Sequence, residues 1–258
     1  MNDIKRGPLA NSLVLHDFKG EDLDIPGWFY YVEDWFHRCG VVPNRIGGKS
    51  KKNITFVRGK KRLEKEQFTD IGCGIWIGAL PLECTVEMFD FLCAAELEAN
   101  GKRKTMVMTW DDQLVGFNPT YLTQFAQDMY RFFEPAYGYC FQRLFRQGPG
   151  LYPFGFLSGI DKFSEEADRI DRWGKEYKSS YGTYRTGLFR DIYPMNFVCM
   201  AHLDQRLGEQ RLQDWITSDS SRGELTALND KLWSWWIPEH DIAGVREALK
   251  PTGLLLCA

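Results

Sequence analysis

The segment FDFLCAAELEANGKRKTMVMTW, residues 89–110, constrains this chain more than any other. Two runs rich in apolar residues flank Asn100-Gly101, and both of those residue types tolerate the positive φ that a tight hairpin turn requires. The pattern predicts two antiparallel strands, so the fold must contain a sheet of the hairpin kind.

Helical spacing runs through other parts of the chain. In IPGWFYYVEDWFHRCG, 25–40, the residues Trp28, Tyr31, Val32, Trp35 and Phe36 fall on one stripe, and Gly40 closes the helix. Asn118-Pro119 opens another, because Asn is a good cap and Pro suits the first turn. Its stripe is Leu122, Phe125, Met129 and Phe132 or Phe133. SEEADRIDRWGKEYKSS reads as a charged helix capped by Ser164, with acids in its first turn to suit the dipole. AHLDQRL, LQDWI and DIAGVREAL read as shorter helices. IGCGIWIGAL (71–80), GYCFQRLF (138–145) and KLWSWWIP read as strands, and a break near Pro251 precedes a last short one. No regular βαβ rhythm links these pieces. The expectation is an α+β fold, a mostly antiparallel sheet with packed helices. At 258 residues the chain can bury a sizeable core as one domain over 1–258. The Gly/Pro-rich QGPGLYPFGFLSG, 147–159, is a long loop or an internal boundary.

Charge is unevenly spread. The net charge is -3, without the broad basic field of a nucleic-acid binder. Residues 41–66 nevertheless carry nine bases and two acids, and within them the basic run KSKKNITFVRGKKRLEK reads as a solvated loop and strand. Seven cysteines without C-x-x-C spacing argue against a disulfide framework or a zinc knuckle, and for a reducing compartment. The first eighteen residues lack a continuous apolar core, so no signal peptide is expected. No apolar stretch is long enough for a membrane helix. The expected location is the cytoplasm.

No catalytic constellation emerges, and neither a catalytic residue, a metal site nor a cofactor is expected. The four histidines form no H-E-x-x-H or similar pair. His240 lies in PEHD, where Asp241 is expected to cap the following helix. There is no G-x-S-x-G elbow and no phosphate-binding glycine loop. Asp111 and Asp112 follow a strand end, and a turn-capping role suits them better than a shared ligand. YRTGLFRDIYPMNF, 184–197, is the densest polar stretch. Arg190 and Asp191 sit among apolar neighbours, which is costly unless both are hydrogen-bonded. They read as a polar clasp at a strand-to-helix corner, with Asp191 or Asn196 capping a helix that begins near Phe197.

From Gly187 onward the chain resembles the immunity protein 52 family of bacterial polymorphic toxin and type VI secretion systems. The matching pieces, in order, are TGLFRDIYPMNFV, HLDQRL, LQDWI, RGEL (222–225), KLWSWWIP and IAGVREALKPTGLLL. The hallmark positions fall on Gly187, Arg190, Asp191, Tyr193, Pro194 and Asn196, which the resemblance implies are mostly structural. It implies a protein that neutralises one cognate toxin by binding it, without catalysis. The implied partner is a nuclease effector with a restriction-endonuclease-like domain, with no direct contact to nucleic acid or membrane. A nuclease site is shaped for phosphate, so an inhibitor is expected to present acids to it. The candidates are Glu165, Glu166, Asp168 and Asp171 on the charged helix, and Glu21, Asp22 and Asp24 near the N-terminus. The rival readings are an adaptor or structural module of a secretion apparatus, and a small carboxylate-dependent enzyme.

Overall fold

The computed structural model describes residues 9–19, 23–48, 51–69, 71, 74–81, 91–99, 104–156, 165–179 and 182–257. Its centre is a ten-stranded sheet in which every neighbouring pair runs antiparallel. The strands are β1 (Leu9–His16), β2 (Arg45–Gly48), β3 (Lys51–Thr55), β4 (Gly74–Ala79), β5 (Cys93–Glu98), β6 (Thr105–Asp111), β7 (Tyr137–Leu144), β8 (Met195–Val198), β11 (Glu224–Ala227) and β12 (Trp233–Trp236), in the order β11-β12-β8-β7-β1-β6-β5-β4-β2-β3. A two-residue ladder, β9 (Arg206–Leu207) with β10 (Gln210–Arg211), stands apart. With the helices below, this is the expected α+β architecture.

The hairpin prediction holds for its strands: β5 pairs with β6 from Cys93 opposite Trp110 to Glu98 opposite Thr105. The Asn100-Gly101 turn itself lies outside the described residues, as do Cys73, Cys84 and Ser164. The centre of the sheet is β1, which bridges β6 and β7. Sequence reading assigned it no strand, because Asn11, Ser12 and His16 interrupt its apolar run. All three polar side chains are buried, at no more than 1% exposure.

Strand alternation divides the core into two layers. Leu13, Leu15, Met106, Met108, Trp110 and Phe197 face one side. There they meet α1 (Ile25–Arg38) and α3 (Pro119–Phe133), whose stripes bury Trp28, Val32, Trp35, Leu122, Phe125, Met129 and Phe133. Asn118 caps α3 by accepting from the Tyr121 amide at 3.0 Å, as its sequence predicted. Val14, Val107, Tyr139, Phe141 and Trp235 face the other side. That face is covered by α4 (Glu165–Ser179), α5 (Met200–Leu203), α6 (Leu212–Thr217) and α7 (Ile242–Leu249).

Several expectations are corrected. The basic run is not loop and strand alone: its described part folds as β3 and the helix α2 (Phe56–Lys65), anchored by buried Phe56, Gly59 and Leu63. The segment after Tyr193 continues as β8, and its helix starts only at Met200, so neither Asp191 nor Asn196 caps a helix. Asp241 makes no side-chain cap and pairs instead with His240 at 3.3 Å. The last short strand is reduced to a single parallel bridge between Leu255 and Phe189. Part of the 147–159 stretch is a short helical turn, Tyr152–Phe154. The described cysteines, Cys39, Cys93, Cys140, Cys199 and Cys257, are all free thiols.

Candidate functional site

The dense polar stretch folds into one cluster on the α4–α7 face of the sheet. Its centre is Arg190, which is 0% exposed. The guanidinium lies over the rings of both Tyr152 and Trp173, with its carbon 3.9 Å from each ring centroid. Such stacking recovers part of the hydration that burial removes. Its Nη1 donates to Tyr139 Oη, and its Nη2 donates to the Tyr152 carbonyl at 2.8 Å.

Asp191 does not pair with its neighbour. Its Oδ1 accepts from Arg246 Nε of α7 at 2.7 Å and from the Ile192 amide at 2.8 Å. Asn196 closes a small ring with Tyr193, accepting from its amide and donating to its carbonyl at 2.7 Å. Tyr193 stacks on Tyr139 with centroids 4.2 Å apart, and its hydroxyl meets that of Tyr152 at 3.1 Å. The Pro194 carbonyl accepts from the Ile237 amide at 2.9 Å, just past the end of β12. The C-terminal segment ties the backbone: the Phe189 carbonyl accepts from Leu256 N, and the Arg190 carbonyl from Cys257 N. Gly187 adopts φ +89°, and a Cβ there would run into the Ala201 carbonyl oxygen. The stretch is a polar clasp in which each of the six hallmark residues has a packing or hydrogen-bonding task.

Two buried histidines flank it. His16 lies 4.8 Å from Tyr184, ring centroid to centroid, and burial followed by the Arg190 charge holds its pKa well below the ordinary value. His202 is pulled down to about 4 by burial, against the hydrogen bonds it makes to Leu188 and Cys199. Its Nε2 lies 3.1 Å from the Leu188 carbonyl, which makes that nitrogen the protonated one, and Nδ1 lies 3.3 Å from Cys199 Sγ. A neutral, buried imidazole of this kind is a hydrogen-bonding strut. Burial likewise raises the Tyr193 hydroxyl, with the Arg190 charge opposing it.

The carboxylates singled out in the sequence are dispersed. Asp111 Oδ1 accepts from the Gln113 amide at 2.9 Å. Asp112 Oδ1 receives Asn11 Nδ2, Gln142 Nε2 and the Phe117 amide, which makes it the organiser of that turn. Asp24 caps α1 by accepting from the Gly27 amide at 2.8 Å. Glu21 and Asp22 lie outside the described residues, and of Glu165 and Glu166 only the helical backbone is described. Asp168 and Asp171 are exposed, but Asp171 pairs with Lys175 at 2.7 Å. Bases at Arg169, Arg172 and Lys175 interleave these acids, so the described part of α4 carries both signs. Among the described residues no group of three or more His, Cys, Asp or Glu is placed to hold a metal, and no helix is long and apolar enough to cross a membrane.

Sequence reasoning missed the partners that complete the clasp: Tyr139, Tyr152, Trp173 and Arg246. One signal was present. In β7, Tyr137, Tyr139, Phe141 and Arg143 alternate onto one face, a pattern with a polar tip at each tyrosine and a charge at its end. Next to the clasp opens a cavity of about 300 Å³, walled in part by Tyr193, Pro194 and Trp236.

Comparison with protein-family models gives no match, and comparison with curated proteins gives none. Among solved structures the fold is similar to that of the Pseudomonas aeruginosa T6SS protein PA0821, at 11% identity and a TM-score of 0.61, covering 97% of this chain and 74% of that one.

Proposed function

We propose that this chain is an immunity protein of a type VI secretion system, acting in the cytoplasm by binding and neutralising a cognate antibacterial toxin. The observation that carries the reading is the likeness to a T6SS protein across 97% of the chain. The ordered C-terminal pieces that resemble the immunity protein 52 family support it and make a nuclease with a restriction-endonuclease-like domain the favoured target. The clasp is consistent with such a role: most of its polar groups are buried and hydrogen-bonded within the cluster, as in a scaffold that displays a surface. Inhibition is by association, without turnover, cofactor, nucleic-acid contact or membrane contact.

Co-expression with the product of the adjacent open reading frame tests this. The expected result is that the neighbour kills when expressed alone, and that with this chain it co-elutes and the cells survive. A harmless neighbour that does not co-elute removes the immunity reading. Co-elution with a spike or sheath component, without protection, replaces it with an adaptor role. The acidic contact surface is tested separately: reversing Asp168 and Asp171 to Lys is expected to weaken the toxin complex, and unchanged affinity rules α4 out.

A further inference from the structure

Exposed apolar side chains gather beside helix α2. Val42 is 67% exposed, Val57 64% and Tyr30 44%. Val42, Pro43, Phe56 and Val57 line a groove of about 360 Å³, together with Glu33 and Glu64. Tyr30 joins this group through its hydroxyl, which donates to Glu64 at 3.1 Å. Apolar residues scattered singly over a surface need no explanation, whereas a cluster rimmed by charge is the usual form of a contact surface.

The helix beside the groove carries its charge in an arrangement that costs stability. Arg58, Lys61, Arg62 and Lys65 recur at the spacing of one helical face, turned away from buried Phe56, Gly59 and Leu63. Arg58 lies one helical turn from Arg62, and Lys61 one turn from Lys65, a spacing at which like charges repel. Arg62 has Glu66 at 3.0 Å, and Lys60, off this stripe, has Glu33 at 2.7 Å. Arg58, Lys61 and Lys65 are exposed and pair with no carboxylate among the described residues. Helix stability by itself favours opposite signs at these positions. The excess is local: residues 41–66 hold nine bases and two acids in a chain whose net charge is -3.

An apolar groove beside unneutralised cations complements a chain that presents an apolar anchor with carboxylates next to it. Nucleic acid fits less well. Glu33 and Glu64 line the groove and would repel phosphate, and the basic stripe is only about 10 Å long at a rise of about 1.5 Å per residue. We propose that α2 and the Val42–Val57 groove form a docking site for an acidic segment of a partner protein, with an apolar side chain in the groove and carboxylates on Arg58, Lys61 and Lys65. Phe56 and Leu63 of α2 pack in the core layer of α1 and α3, whereas Ile170 of α4 packs in the other. The site is therefore separate from the acids of α4 and does not rest on the immunity reading.

The test titrates the full-length chain into a short fluorescein-labelled peptide, rich in glutamate with one central leucine, and follows its anisotropy. The expected result is saturable binding, weakened about tenfold or more by the double variant Arg58→Glu, Lys61→Glu and by Val57→Asp, and unaltered by Arg206→Glu on β9. The double variant converts two repelling pairs into attractive ones, so its urea unfolding midpoint should not fall, which separates lost binding from lost folding. Arg58→Gln with Lys61→Gln serves in its place if the charge reversal does not fold. Absence of saturable binding, or binding that survives both the double variant and Val57→Asp, overturns the proposal. Equal affinity for polyglutamate overturns it too, since the groove would then add nothing. So does tighter binding of a single-stranded oligonucleotide of equal charge, which would make the surface a phosphate track. If the neighbouring gene product proves harmless, the immunity reading falls, and the titration still decides this site.

Discussion

The Arg190 guanidinium carbon lies over the Trp173 ring, 3.9 Å from its centroid, and at the same distance over the ring of Tyr152. A strand-side loop and helix α4 are thereby joined through a buried cation that pairs with no carboxylate among the described residues. The charge is balanced by ring faces, a phenol oxygen and a carbonyl. Removal of Arg190 should therefore leave those acceptors dry and unpaired. Arg190→Ala is expected to destabilise the protein by about 3–5 kcal/mol, read from urea unfolding midpoints. Arg190→Lys keeps the charge but loses the planar stack, and should fall between the two. A change under about 1 kcal/mol for the alanine variant would refute the clasp.

Gly187 offers a backbone test. At φ +89° with the Ala201 carbonyl beside it, Gly187→Ala adds both strain and a clash, so it should cost more than the roughly 1 kcal/mol that compatible glycine sites gain from alanine. Gly40, also at positive φ but with open space around its missing Cβ, serves as the comparison. Equal losses at the two sites would show that the clash at Gly187 contributes nothing.

His202 and His16 are buried as neutral rings, with folded-state pKa values held below the unfolded 6.5. The unfolded chain therefore takes up protons at a pH where the folded chain does not. Their stabilisation is full above pH 6.5 and is lost as pH falls toward about 4, the value for His202. For His202 the span corresponds to roughly 3 kcal/mol. His202→Gln should flatten the dependence of unfolding free energy on pH between those limits. An unchanged slope would mean that His202 titrates normally in the fold.

Asp24 tests a helix cap. Its Oδ1 caps α1 through the Gly27 amide. Asp24→Ala should cost about 1 kcal/mol of stability, read from urea unfolding midpoints. An unchanged midpoint would mean that the cap contributes nothing to α1.

Much of the fold was legible in local pattern. The stripes of α1 and α3, the Asn118 cap and the β5–β6 pairing follow from residue spacing, because a helix or hairpin is stabilised by groups a few positions apart. That the polar groups of 184–197 are tied up in hydrogen bonds and that Asp112 organises a turn was also readable, since a charge among apolar residues must find partners. What those partners are was not. Asp191 was expected to cap a helix near Phe197 but bonds Arg246, fifty-five positions away. Arg190 reaches Tyr139 and Tyr152. The central strand β1 hid behind Asn11, Ser12 and His16, which sequence hydropathy counts as polar and the sheet buries on both sides. Sequence alone set the periodicities and the residues that demand satisfaction. Only the tertiary structure decided which distant groups satisfy them, because those contacts form across strands and helices whose spacing no local window contains.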